Sequence, residues 1–406
     1  MKQIARLENS IQEYAWGSYT AIPELLGEPS PAETPQAELW MGAHHKAPSE
    51  VIMGKRKIAL PELIKEDPAA ILGIKTAEKY NGSLPFLFKV LAMAEPLSIQ
   101  AHPNLAQAIA GFARENEQNI PIDGFKRNYR DANHKPEILC ALTTCWALKG
   151  FRPIERIVSI MAPLNITGIA PLVEALDKNP NERGLRRFFA SLLTLDPESK
   201  KMAVAEALSH IQHNMSDTEE VGEPCRHWVT KLNKRYHGDI GVLSPLFLNL
   251  VEVKPGEALF LQAGQLHAYL QGVGIELMAN SDNVLRGGLT PKHIDVEELL
   301  SILDFKGAEA EKVQIESSTA GEEFYLTPAA EFRLSRISVE EGPEYFSSRE
   351  RSIEIIICTQ GSASIWDLST GAGFAVKKGD SFIIPASVEE YRITGSAHLY
   401  KAAVPV

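Results

Sequence analysis

The sequence predicts a mainly β protein with a helical insertion: two jelly-roll barrels plus an α-helical domain. Three observations predict it. Short runs rich in β-branched and aromatic residues, punctuated by Pro, Gly and Asn, fill residues 1–151 and return after about 243. Between 152 and 240 the apolar residues move to helical spacing. The third is a weak internal repeat: Gly256, Gln262, Gly264 and His267 recur in spacing as Gly379, Pro385, Ser387 and Glu390.

Taken in order, "LPFLFKVLAM" (84–93) and "PLSIQAHPN" (96–104) read as strands interrupted by turn residues. "ILCALTTCWAL" (138–148) reads as a further apolar strand run. Its Cys140 and Cys145 form no CxxC pair, nor do Cys225 and Cys358, so all four read as core thiols in a reducing compartment. "PIERIVSIMAPL", "GLRRFFASLLTL", "KKMAVAEALSHIQHN" and "CRHWVTKLNKRY" carry the helical spacing, with Asp, Asn and Pro between them. A first β unit is therefore expected at 1–151 and 241–304, with the helical insertion at 152–240. The charged stretch near 305–323 reads as a linker, and a second β unit is expected at 305–406, through "FRLSRISV", "SIEIIICTQGSASIWD", "DSFIIPAS" and "EYRITG".

The net charge of −11 argues against nucleic acid or an anionic membrane surface as the main partner. No run of 18 apolar residues is present, so no span is expected, and the first 18 residues lack the apolar core of a leader. A cytoplasmic monomer acting on a small molecule is expected.

Both copies of the repeat resemble the second cupin motif, in which a strand-turn-strand presents a metal-binding histidine. The first copy keeps His267 but has Gln262 where the motif usually has Pro; the second keeps Pro385 but puts Glu390 at the ligand position. One metallated unit and one without metal are expected. Gln100 and His102 lie two apart on a strand-like run and so share a face. With Glu137 and His267 they offer two imidazoles, a carboxylate and an amide oxygen, a set that suits Zn²⁺, with Fe²⁺ or Mn²⁺ as alternatives. His134 and Lys135 precede Glu137 in "NHKPE", where a loop pair in solvent is the plain alternative to a role in acid–base chemistry or phosphate binding. Asp282, Asn283 and Arg286 fall in a polar stretch before Gly287 and Gly288, which read either as a site for close backbone approach or as a plain turn. Arg286 is placed to hold an anion, and Glu276, on the apolar run "GIELMA", needs a partner if buried. His210 and His213 read as a solvated helix face, and His44 and His45 receive no role.

"YAWGS" (14–18), "AELWMGAH" (37–44), "PLSIQAHPN", "YRDANHKPE" (129–137) and "HAYLQGVGIELMANSDNVLRGGLTPK" (267–292) together resemble the signature regions of type I mannose-6-phosphate isomerases. The resemblance runs from near residue 10 to near 300 and continues more loosely to the C-terminus. It implies one zinc per chain on Gln100, His102, Glu137 and His267, and a catalytic Arg286. Family site residues also fall on Trp16, Lys89, Ser98, His134, Lys135, Glu276 and Asp282. Lys89 with the Ser98 hydroxyl is the expected grip on the 6-phosphate, with Lys135, His134 and Asp282 as candidate catalytic groups beside Arg286. The family usually has Ala where this chain has Gly287. The implied reaction interconverts mannose 6-phosphate and fructose 6-phosphate by proton transfer between C1 and C2 through an enediol. Read without the family, the same ligands also fit an Fe(II) cupin oxygenase or a sugar-phosphate sensor without turnover.

Overall fold

The structure is a computed structural model and describes residues 3–213, 222–318 and 321–406. Its strands form two large antiparallel sheets, one of ten strands and one of eleven. Among the described residues neither sheet is hydrogen-bonded into a closed ring.

The ten-stranded sheet is organised by one long strand, His267–Ala279. Its second half pairs with Phe86–Met93 on one side and Glu137–Ala141 on the other. Its first half pairs with Cys145–Phe151 and, at His267, with Gln100 of Ile99–Ala101. The exchange of partners occurs at Gly272. There φ is 120°, and a Cβ would meet Cys145 Sγ at 2.6 Å and the Thr144 carbonyl oxygen at 2.7 Å. Only glycine fits both the backbone angle and the space. Gly272→Ala should therefore destabilise the protein by roughly 2–3 kcal/mol, read as a lower urea midpoint.

Phe86–Met93 is buried along its whole length, as an apolar run between packed layers must be. This burial makes its one charged residue, Lys89, costly unless paired.

The eleven-stranded sheet is built from both ends of the chain. Ala5–Glu8 lies between Ser381–Ile384 and Glu50–Met53, and the latter pairs onward with Arg56–Ala59. Hydrogen bonds thus join the N-terminal stretch to the 305–406 unit. The internal repeat has a structural counterpart. Gly256 and Gly379 both adopt left-handed φ, 85° and 91°. Each precedes a four-residue strand, Ala258–Leu261 or Ser381–Ile384, then a turn, then a 13-residue strand, His267–Ala279 or Tyr391–Ala403. His267 opens the first long strand, whereas Glu390, just before the second, is ion-paired to Arg349 at 3.1 Å.

Between the two strand-rich stretches of the first unit, the helices Ile154–Met161, Ala170–Lys178, Glu182–Thr194, Pro197–His213 and Glu223–Arg235 bury one continuous apolar cluster that includes Phe188, Phe189 and Trp228. His213's side chain lies outside the described residues. No helix among the described residues is long and apolar enough to cross a membrane.

The first 120 residues hold more helix than the strand-like reading allowed. Ala21–Leu26, Leu60–Glu66, Pro68–Leu72 and Ile74–Lys79 have five to seven residues, too few to display a 3.6-residue period. Leu105–Glu117 is longer and opens with a capping box between Asn104 and Gln107.

Candidate metal centre and active site

The strand pairings bring four distant segments to one cavity of about 650 Å³. Gln100 lies opposite His267 on one side and Arg286 on the other. Glu137 opens its strand opposite Leu261, one turn before His267 in the chain. The ligand atoms of His102, Glu137 and His267 lie within 4.8 Å of one another, all buried. His102 Nε2 is 3.3 Å from Glu137 Oε1, and His267 Nε2 is 3.6 Å from Oε2.

Each histidine is oriented through its other nitrogen. His102 Nδ1 donates to the Asn283 carbonyl at 2.7 Å, and His267 Nδ1 donates to the Gln265 carbonyl at 2.9 Å. That tautomer leaves both Nε2 lone pairs facing the carboxylate. His102 Nε2 is buried with no hydrogen-bond partner. Burial holds both imidazoles below their usual pKa, His267 at about 4; Lys135 adds to the effect in both, and the facing His102 adds to it in His267. Burial alone would raise the Glu137 carboxyl, but Lys135 and the two histidines hold it well below the carboxylate range. Two neutral imidazoles and a carboxylate, each presenting a lone pair, are what a divalent zinc ion requires. The residues present fit the metal, and Gln100 lines the same wall of the cavity.

A second cluster, His44, His45 and Asp282, also brings its ligand atoms within 4.8 Å of one another but has the wrong tautomer. His44 Nδ1 accepts the Lys46 backbone N–H at 3.3 Å, so Nε2 carries the proton and faces Asp282 at 3.5 Å. Lys46 Nζ occupies the other oxygen of Asp282 at 2.6 Å. These contacts outweigh the effect of burial and hold the Asp282 carboxyl low.

Asn283 joins the loop to the metal cluster. Its buried side chain accepts the N–H of Arg130 at 2.7 Å and donates to the carbonyls of Asp131 and Asn133, both at 2.8 Å. The "NYRDANHKPE" loop is thus pinned to the segment that orients His102.

The structure brings most of the sequence-predicted residues together. Trp16, Lys89, Ser98, Gln100, Lys135, Glu137, His267, Glu276, Asp282 and Arg286 all line the cavity. Lys135 Nζ sits 2.7 Å from Glu137 Oε1. His134 is not brought to the cavity; its Nε2 meets Glu331 Oε1 at 2.9 Å, across to the C-terminal unit. Lys89 is not a free cation. It lies 2.9 Å from Glu276 and 3.3 Å from Glu38, buried against the Trp40 ring. Burial pushes the Glu276 carboxyl up to about 7 against the pull of Lys89, with Glu137 and Glu38 adding to the rise.

Sequence reasoning passed over Glu38, Lys46, Arg130 and Lys292, all lining the cavity. Each lay within or beside a quoted motif; what was missing was a way to know which motifs meet. Arg130, Arg286 and Lys292 are crowded together. Burial and the neighbouring Arg130 lower the pKa of Arg286, and burial, Arg286 and Arg130 lower that of Lys292. None of the three has a carboxylate partner among the described residues.

Residues 4–154 match the type I phosphomannose isomerase catalytic domain, and residues 322–404 match the mannose-6-phosphate isomerase cupin domain. Mannose-6-phosphate isomerase of Escherichia coli (strain K12) is 41% identical over 97% of this chain and 98% of its own. The chain belongs to the type I phosphomannose isomerase family. A zinc-bound mannose 6-phosphate isomerase crystal structure superposes with a TM-score of 0.91 at 39% identity, over 99% of this chain and all of that one. An alanine mutant of phosphomannose isomerase from Salmonella typhimurium gives 0.92 at 38% identity over the same shares. As in a phosphomannose isomerase, the C-terminal β unit here is a cupin domain, and the His102–Glu137–His267 cluster is fitted to zinc.

Proposed function

We propose that this chain interconverts mannose 6-phosphate and fructose 6-phosphate, with zinc held by Gln100, His102, Glu137 and His267. One observation carries the reading. A buried, lone-pair-lined ligand cluster shares its cavity with Arg130, Arg286 and Lys292, three cations without carboxylate partners among the described residues. A metal end and an anion end in one cavity match a sugar with its reacting carbons at one end and a phosphate at the other.

The phosphate is assigned to Arg130 and Lys292. Lys89 already has two carboxylates and little charge left to offer. Arg286, whose backbone lies opposite the ligand Gln100, is assigned to the oxygens on which charge develops. Glu276, its carboxyl raised chiefly by burial, takes the proton from C2 of the open-chain aldose and returns it to C1, while a proton passes from O2 to O1, giving the ketose. Asp282 is a poor base because Lys46 and His44 stabilise its charge. Lys135 holds Glu137 in place and presents its remaining N–H bonds to the cavity. Zinc, when bound, supplies Lewis-acid stabilisation of the charge on O1 and O2.

We also read the two sheets as two jelly-roll barrels, the second completed by three N-terminal strands, with the helical domain at 152–240 between halves of the first. We also propose a cytoplasmic monomer, as expected from the sequence. The test is turnover of mannose 6-phosphate to fructose 6-phosphate before chelation, after it, and with zinc restored. Loss and recovery of activity together are expected. Turnover that survives with zinc stripped below stoichiometry would refute the assignment.

A further inference from the structure

The turn that carries Lys292 is held in an unusual conformation. Leu289 has φ 54°, a left-handed angle that bulky residues rarely adopt, yet its side chain is buried. Something must hold it there. Gly288, at φ 148°, is pressed against Gly241, where the chain returns from the helical insertion. A Cβ on Gly288 would meet Gly241 Cα at 3.1 Å, and a Cβ on Gly241 would meet Leu289 N at 2.9 Å. Neither close approach to a ligand nor a plain turn explains Gly288; it admits the backbone of another segment.

Asp239 closes this contact. Its Oδ1 accepts the Gly241 N–H at 2.7 Å, capping the short 3-10 helix Ile240–Leu243. Its Oδ2 reaches across and accepts the Thr290 N–H at 3.2 Å. Thr290 Oγ1 in turn accepts the Lys292 N–H at 3.1 Å. Thr290, Pro291 and Lys292 all line the cavity. A continuous line of hydrogen bonds therefore runs from the end of the helical insertion to the backbone of a cavity cation.

We infer that Asp239 is a positioning residue: it fixes the Thr290–Lys292 turn so that Lys292 stands beside Arg130 and Arg286, and through it the helical insertion sets affinity for the phosphorylated end of the substrate. The inference rests on the assignment of the phosphate to Arg130 and Lys292.

Asp239→Ser separates this role from helix capping. Serine still caps Gly241, but its single oxygen cannot also hold Thr290. Losing that bond should raise both KM for mannose 6-phosphate and Ki for inorganic phosphate about 5–10-fold, with kcat within about twofold and zinc content unchanged. Asp239→Asn, which keeps the cap and turns an amide donor toward the Thr290 N–H, should do the same and serves if the serine variant folds poorly. Lys292→Met should raise both constants at least as much. If Lys292→Met raises them and neither Asp239 variant does, Asp239 is only a cap and the inference fails. If Lys292→Met leaves both unchanged, the phosphate assignment is wrong and the inference falls with it.

Discussion

Glu276→Gln should lower kcat by about 100–10,000-fold, the range typical of losing a positioned acid–base group. Glutamine keeps the shape and can still bond Lys89, but it cannot carry a proton. Lys89 retains Glu38, so the change leaves no buried charge without a partner. The pH profile gives an independent check. The Glu276 carboxyl sits at about 7, raised chiefly by burial. A base works only when ionised, so kcat/KM should fall as pH drops through about 7 and hold steady above it. In Glu276→Gln that limb should vanish, leaving a limb near pH 6 from the second ionisation of the substrate phosphate. If the variant keeps the limb near 7 with kcat little changed, proton transfer belongs to another group.

Arg286→Ala should cost about 100–1000-fold in kcat, the usual loss when one donor to a developing oxyanion is removed. Zinc content should not change, because Arg286 is not one of the three clustered ligands and Glu137 is ion-paired to His102, His267 and Lys135 instead. The kinetic split matters here. A residue that only gripped phosphate would raise KM and spare kcat, whereas one acting at the reacting carbons lowers kcat. A pure KM effect would move Arg286 to the phosphate group with Arg130 and Lys292.

The clustered His102, Glu137 and His267 are legible in the amino-acid sequence, and the reason is local. His102 follows directly on the short strand Ile99–Ala101, two residues from Gln100, and His267 follows a glycine-punctuated turn that recurs at Gly379. Glu137 needs only a short extended stretch after Pro136. What the sequence does not show is pairing between distant segments. Lys89 reads as a promising phosphate ligand until Glu276 is found opposite it on the neighbouring strand. His134 reads as part of the loop's chemistry until Glu331, nearly two hundred residues on, is found to bind it. The fold follows the same pattern. The long helices show their period, but helices of five to seven residues are too short to show one. The N-terminal strands give no sign of their sheet, because pairing register between residue 5 and residue 383 leaves no trace in either stretch alone.

That last pairing has a consequence for how the molecule is made. A ribosome adds roughly 5–20 residues per second, and early segments usually fold while later ones are still being synthesised. Ala5–Glu8 is made long before one of its two neighbours, Ser381–Ile384. For most of synthesis this strand has one exposed edge and a row of unmatched N–H and C=O groups. Completion of the sheet must wait until Ser381–Ile384 has left the ribosome, so a nascent chain stalled before that strand would present an unprotected edge to chaperones and to other chains.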